Sequence, residues 1–218
     1  MNSGFEENKI ITIKRGADVE IFNLNKPEND LKKKLFGRMN PFVITFIGRI
    51  EKNGQIFRFF KGAKQVFQVI ENVIFLIVGD GKLRKNWERT AKNFKLEERF
   101  IFTGFRYDIK EILSISDVFI SPLISLDTYQ NSLLEAMAVA KPVVAVRTDA
   151  NLEVIENGVN GFLYSQFNED EFVESVISLF KNRKLRNEIG ANARKTVIKS
   201  YRIENVVSNL ESLYLKVV

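Results

Sequence analysis

The sequence predicts an α/β fold in which a parallel sheet carries helices on both faces. Three observations lead there. Apolar runs of strand length recur along the chain, among them Phe42–Ile47, Val73–Val78 and Val143–Val146. Several runs end directly in a glycine: Gly48, Gly79 and Gly104. Between them lie stretches with helical spacing, of which Ile56, Phe59, Phe60, Ala63, Val66, Phe67 and Ile70 form the clearest. Strand, glycine-bearing turn and helix, repeated, make βαβ units with right-handed crossovers. Ligands of such sheets bind beyond the carboxyl ends of the strands. Gly48, Gly79, Gly104 and Asp127, which follow predicted strands, should therefore gather at one edge.

Taken in order, residues 9–22 read as a short strand and a glycine turn, and the lysine-rich residues 23–40 as a loose connection with a short helical piece. The strand Phe42–Ile47 leads into a helix over Gln55–Ile70, and Val73–Val78 into an amphipathic helix over Leu83–Phe94. A strand at Phe100–Thr103 precedes a short helix, Ile109–Ser116, and a strand at Val118–Ser121 opens the central loop. After Val146 the pattern suggests a short helix over Leu152–Asn157, then a turn bracketed by Gly158 and Gly161 and a strand at Phe162–Tyr164. Helices follow over 169–182, 184–200 and 203–217. The last carries apolar residues at 203, 206, 207, 210, 213, 214 and 217, a stripe that needs a surface to bury against.

Composition narrows the chemistry. With no cysteine and no histidine, the chain has no thiolate, no disulfide and neither of the commonest metal-ligand types. Catalysis falls to Asp, Glu, Lys, Arg, hydroxyls or the backbone. No apolar run approaches the roughly 20 residues needed to span a bilayer, and the opening MNSGFEENK has no signal-peptide core, so the chain reads as cytoplasmic. The net charge of +6 suits an anionic partner: a nucleotide diphosphate, or an acidic membrane surface met peripherally. The basic residues are scattered, apart from Lys32–Lys34 and the 181–202 region, and no nucleic-acid motif is present.

The stretch DTYQNSLLEAMAVAKP, Asp127–Pro142, reads as a loop that becomes a helix and stops at a proline. Asn131 suits the N-cap, and Asn131 and Glu135 share a helix face. Two readings stand side by side. A helix N-terminus presents unpaired N–H groups to a phosphate, and a carboxylate one turn in takes the hydroxyls of the attached ribose. Alternatively this is a capped helix with one stray Glu.

NSLLEAMAVAKPVVA resembles the C-terminal signature of retaining GT-B glycosyltransferases of the family 4, or group 1, set, a Glu-x7-Glu motif. Glu135 matches its second Glu and Asn131 its Asn, while Asp127-Thr128 stands where the family has Glu-Gly. A second block, Glu153, Val154, Ile155, Gly158, Asn160, Gly161, Phe162 and Leu163, is similar to the family's E-V-I-x-x-G-x-N-G-F-L. Gly16, Asp18 and Phe22 match its interdomain segment. The resemblance implies the Rossmann-like second half of a GT-B fold, with an interdomain-like segment at 1–40, a donor-binding domain at 41–200 and a helix at 201–218 that crosses to a partner domain.

It also implies a nucleotide-sugar donor and no cofactor or metal. In the catalytic role it places Arg49 and Lys52 on the diphosphate, with Lys61 a second choice, and Asp127 on the sugar. For donor binding it places Gly48 at the strand end, Gly104 and Phe105 beside the base, the N–H groups of Asn131, Ser132 and Leu133 on the phosphate, and Glu135 on the ribose. The family's acceptor contacts lie in an N-terminal domain that this sequence lacks. A hexosyltransferase whose second half is inactive alone, a degenerate partner subunit and a sugar-nucleotide epimerase all fit the resemblance. Asp149-Ala150 also departs from the family's Gly-Gly and adds a negative charge.

Overall fold

The computed structural model describes residues 10–23, 29–51, 56–122 and 131–217. The connection contains helix α1 (Asn29–Phe36), after which strands and helices alternate: β1 (Phe42–Ile47), α2 (Ile56–Val69), β2 (Val73–Val78), α3 (Arg84–Asn93), β3 (Phe100–Gly104), α4 (Ile109–Ile115), β4 (Val118–Ser121), α5 (Asn131–Ala138), β5 (Val143–Val146), α6 (Asp149–Leu152) and β6 (Phe162–Tyr164). Three helices close the chain: α7 (Glu169–Lys181), α8 (Arg183–Ser200) and α9 (Ile203–Val217).

Among the described residues, six strands form one sheet in the order β3-β2-β1-β4-β5-β6, all neighbours parallel. The order reverses between β1 and β4, which opens a crevice at their carboxyl ends. The strands read as unbroken apolar runs because helices cover both faces, and every residue of β1, β2, β4 and β5 is buried. Alternate residues face opposite ways. Ile44, Phe46, Phe75, Ile77, Ile120 and Val144 pack toward α2, α3 and α7, and Val43, Leu76, Phe119, Val143 and Ala145 toward α4, α5 and α8.

Two expectations need correction. The short strand within residues 9–22 reduces to a single bridge, Ala17 to Arg202. The helix expected over Leu152–Asn157 lies earlier, at Asp149–Leu152. Thr148 starts it by accepting from Asn151 N at 3.2 Å, and Asn151 Nδ2 donates to Val146 O at 2.8 Å. After Leu152, asparagine side chains hold the backbone in a turn: Asn160 Oδ1 accepts from Glu156 N and Asn157 Oδ1 from Leu163 N, each at 2.8 Å.

Helix α9 forms over the expected residues, but its stripe is only partly covered. Ile203, Val206, Leu210 and Leu213 are half-buried, whereas Val207 and Tyr214 are exposed. No described helix is long and apolar enough to cross a membrane.

Candidate functional site

The carboxyl edge of the sheet is built from three glycine turns laid side by side. Gly48 N donates to Val78 O at 3.0 Å, Ile50 N to Asp80 O at 3.0 Å and Gly79 N to Gly104 O at 2.8 Å. Gly79 has φ +124°, and a Cβ there would stand 2.0 Å from Gly48 O. Only glycine permits both that backbone and that approach. The gathering expected of Gly48, Gly79 and Gly104 is therefore present; Asp127 lies outside the described residues, as does Lys52.

Arg49, just past β1, projects outward with its side chain 84% exposed, and Nη1 lies 3.5 Å from Glu51 Oε1. So exposed a pair is weak and leaves the guanidinium available. Lys61 is committed elsewhere. It and Arg58, at 3.0 Å, hold Glu169 at the start of α7. The Lys61 hydrogen bond leads in pulling the Glu169 carboxyl down to about 2.

Helix α5 begins beside Gly48. Ser132 is buried, and its Oγ donates to Ile47 O at 2.7 Å, which ties the first turn of α5 to the end of β1. Leu133 is fully buried, so for both residues the group left for a ligand is the backbone N–H. The expected N-cap is not what Asn131 provides: it is already helical, and its Oδ1 accepts from Arg15 Nη1 at 3.0 Å. Glu135, one turn on, is half-buried, and its carboxylate has no hydrogen-bond or ion-pair partner among the described residues. Burial alone pushes its pKa up.

At the far end of the turns, Phe105 is 67% exposed and meets Tyr107 edge-to-face at 4.9 Å between centroids. Beside Gly104, which has φ +73°, Arg84 donates from Nε to Glu88 at 2.9 Å, from Nη1 to Asp80 at 3.2 Å and from Nη2 to Phe102 O at 3.4 Å. A Cβ on Gly104 would come within 2.9 Å of that guanidinium. Arg84 escaped the motif reading, although its i,i+4 carboxylates on both sides are visible in sequence. Arg15 escaped it too, and no local spacing points to its partner. The structure thus ties Ser132 to the end of β1, just before Gly48 and Arg49, with Asn131 preceding it and Glu135 one turn further along α5, while Gly104 and Phe105 lie two strands away.

This edge, with a helix start and two exposed aromatics around a parallel-sheet crevice, is the ligand edge of a Rossmann-like domain. The family model of glycosyl transferases group 1 matches residues 27–196, and the chain belongs to that family. It is 29% identical over 214 residues to a UDP-Gal:alpha-D-GlcNAc-diphosphoundecaprenol alpha-1,3-galactosyltransferase of Escherichia coli, covering 96% of this chain and 55% of that protein. A crystal structure of Anabaena HepE in complex with UDP matches with a TM-score of 0.84 at 22% identity, over 98% of this chain and 59% of the other. The C-terminal domain of a group 1 family protein from Francisella tularensis matches with a TM-score of 0.73 at 23% identity, over 86% of this chain and all of that one. The chain thus spans little more than half the length of the galactosyltransferase.

Proposed function

We propose that this chain is the donor-binding half of a retaining hexosyltransferase that takes its sugar from a nucleotide diphosphate, with uridine the first choice of base. The observation that carries the reading is Glu135: a half-buried carboxylate with no hydrogen-bond or ion-pair partner among the described residues, one turn into a helix whose first turn is tied by Ser132 to Ile47 O at the end of β1. An unmet, partly desolvated carboxylate is costly unless a ligand completes it. Two vicinal ribose hydroxyls would do so by donating to its oxygens. The diphosphate then falls on the first N–H groups of α5 and on Arg49, and the base reaches Gly104 and Phe105. The UDP named with HepE, and the UDP-galactose named for the Escherichia coli relative, support uridine.

In this reading the bond between the anomeric carbon and the diphosphate oxygen breaks, and its electron pair leaves with the diphosphate. The acceptor oxygen bonds the same carbon on the same face and passes its proton to the departing diphosphate. Arg49 and the helix start stabilise the charge that grows on the leaving group; by the family resemblance Lys52 shares that task and Asp127 meets the sugar. No metal held by this half takes part. The acceptor sits in a second half, on the same polypeptide or another, and the exposed Val207 and Tyr214 in the stripe of α9 support such a partner. This chain alone binds donor and does not transfer.

Glu135→Ala tests the reading. It should weaken UDP markedly and pyrophosphate little, as measured by titration calorimetry. Equal losses for both ligands would remove Glu135 from the ribose.

A further inference from the structure

Arg15 belongs to none of the motifs that define the site, yet its guanidinium lies at the mouth of α5, on Asn131 Oδ1 across 116 positions of sequence. The arm that carries it is pinned. Ala17 N donates to Tyr201 O at 2.8 Å, and Ala17 O accepts from Ile203 N at 3.0 Å. A Cβ on Gly16 would stand 2.9 Å from Ile203 Cα, so the arm lies directly on the start of α9. Arg15 is thus delivered to α5 from the junction between the leading segment and the last helix.

An amide side chain has two unlike ends. Arginine only donates, so the Asn131 atom facing Arg15 is the oxygen, and the NH2 end remains for whatever lies before the helix. A phosphate only accepts. It gains a hydrogen bond from the nitrogen end and is repelled by the oxygen.

We propose that Arg15 is a positioning residue of the donor site, holding the Asn131 amide with its nitrogen toward the donor's diphosphate. The inference rests on the donor-binding reading and deepens it, because it ties phosphate binding to the arm and α9 rather than to the sheet edge alone.

Titration of the chain and its variants with UDP tests it. R15A should bind UDP about tenfold more weakly, the scale of one charge-assisted hydrogen bond, with its melting temperature unchanged. R15Q, which can still donate to Asn131, should keep most of the affinity. On an N131A background, R15A should cost nothing further, since the two act as one unit. Wild-type affinity in R15A, no rescue by R15Q, or additive losses in the double variant would overturn the positioning role and leave the donor reading standing. Failure of the wild-type chain to bind UDP would overturn both.

Discussion

The two faces of the sheet are made of different material. Toward α2, α3 and α7 the core is aromatic: Phe59, Phe60, Phe75, Trp87 and Phe100 interlock, with Phe75 and Phe100 stacked at 4.8 Å and Phe60 tilted against Phe100 at 4.7 Å between centroids. Toward α5 and α8 it is aliphatic and small, with Leu133, Leu134, Ala136, Ala138, Ala145 and Ala193 buried. There the backbones come close. A Cβ on Gly190 of α8 would lie 2.1 Å from Ala140 O. Large rings bury area and hold elements apart, whereas small side chains let backbone approach backbone. The aromatic face supplies stability at a distance from the crevice. The small-residue face draws α5 against the sheet, so that Ser132 reaches the Ile47 carbonyl and the helix start meets the end of β1.

The largest test of that contrast is Phe75→Ala. It opens a cavity under three rings and should cost about 3–5 kcal/mol in denaturant unfolding. A loss below 1 kcal/mol would mean that the rings are not the main source of stability. Arg49→Ala comes next and acts on the ligand alone. UDP binding should weaken by about 1.5–3 kcal/mol while the unfolding midpoint stays put, because the side chain is exposed. Unchanged affinity would take Arg49 out of the site.

Gly190→Ala sharpens the comparison by its sign. Within a helix this change ordinarily stabilises by about 0.5–1 kcal/mol. Here the new methyl meets a carbonyl oxygen, and the result should be a loss of about 1–3 kcal/mol, together with weaker UDP binding as α5 is pushed. A gain in stability would show that the two backbones are not in contact. The smallest effect is a pH dependence. Glu135 has its folded pKa raised by burial, so the folded state prefers the protonated carboxyl. That preference contributes stability below the unfolded pKa and is lost as pH rises through the folded value. The ligand-free chain should therefore lose part of its stability across the window just above the ordinary glutamate range, and Glu135→Gln should abolish that part. An identical profile in the variant would mean that Glu135 is solvated like any surface carboxylate.

Most of the scaffold was legible because its signals are local. A buried parallel strand is a continuous apolar run, and the glycines at 48, 79 and 104 mark turns whose backbones must touch or take positive φ. The helix placed at Leu152–Asn157 went astray because Leu152, Val154 and Ile155 mimic helical spacing. Val154 and Ile155 are buried, but from a turn that asparagine side chains hold. At the site, Asn131 and Glu135 were legible through their shared helix face and the motif around them. Arg15 was not, because a side-chain contact that spans the chain leaves no trace in spacing. Nor did the sequence show that Lys61 is held on Glu169, which depends on α2 and α7 packing side by side.

The most direct measurement is calorimetric titration of this chain with UDP, GDP and ADP. The donor-binding account predicts saturable binding of one diphosphate, with UDP first, tightened when its sugar is attached and weakened by Glu135→Ala. A folded chain that binds none of the three would contradict it.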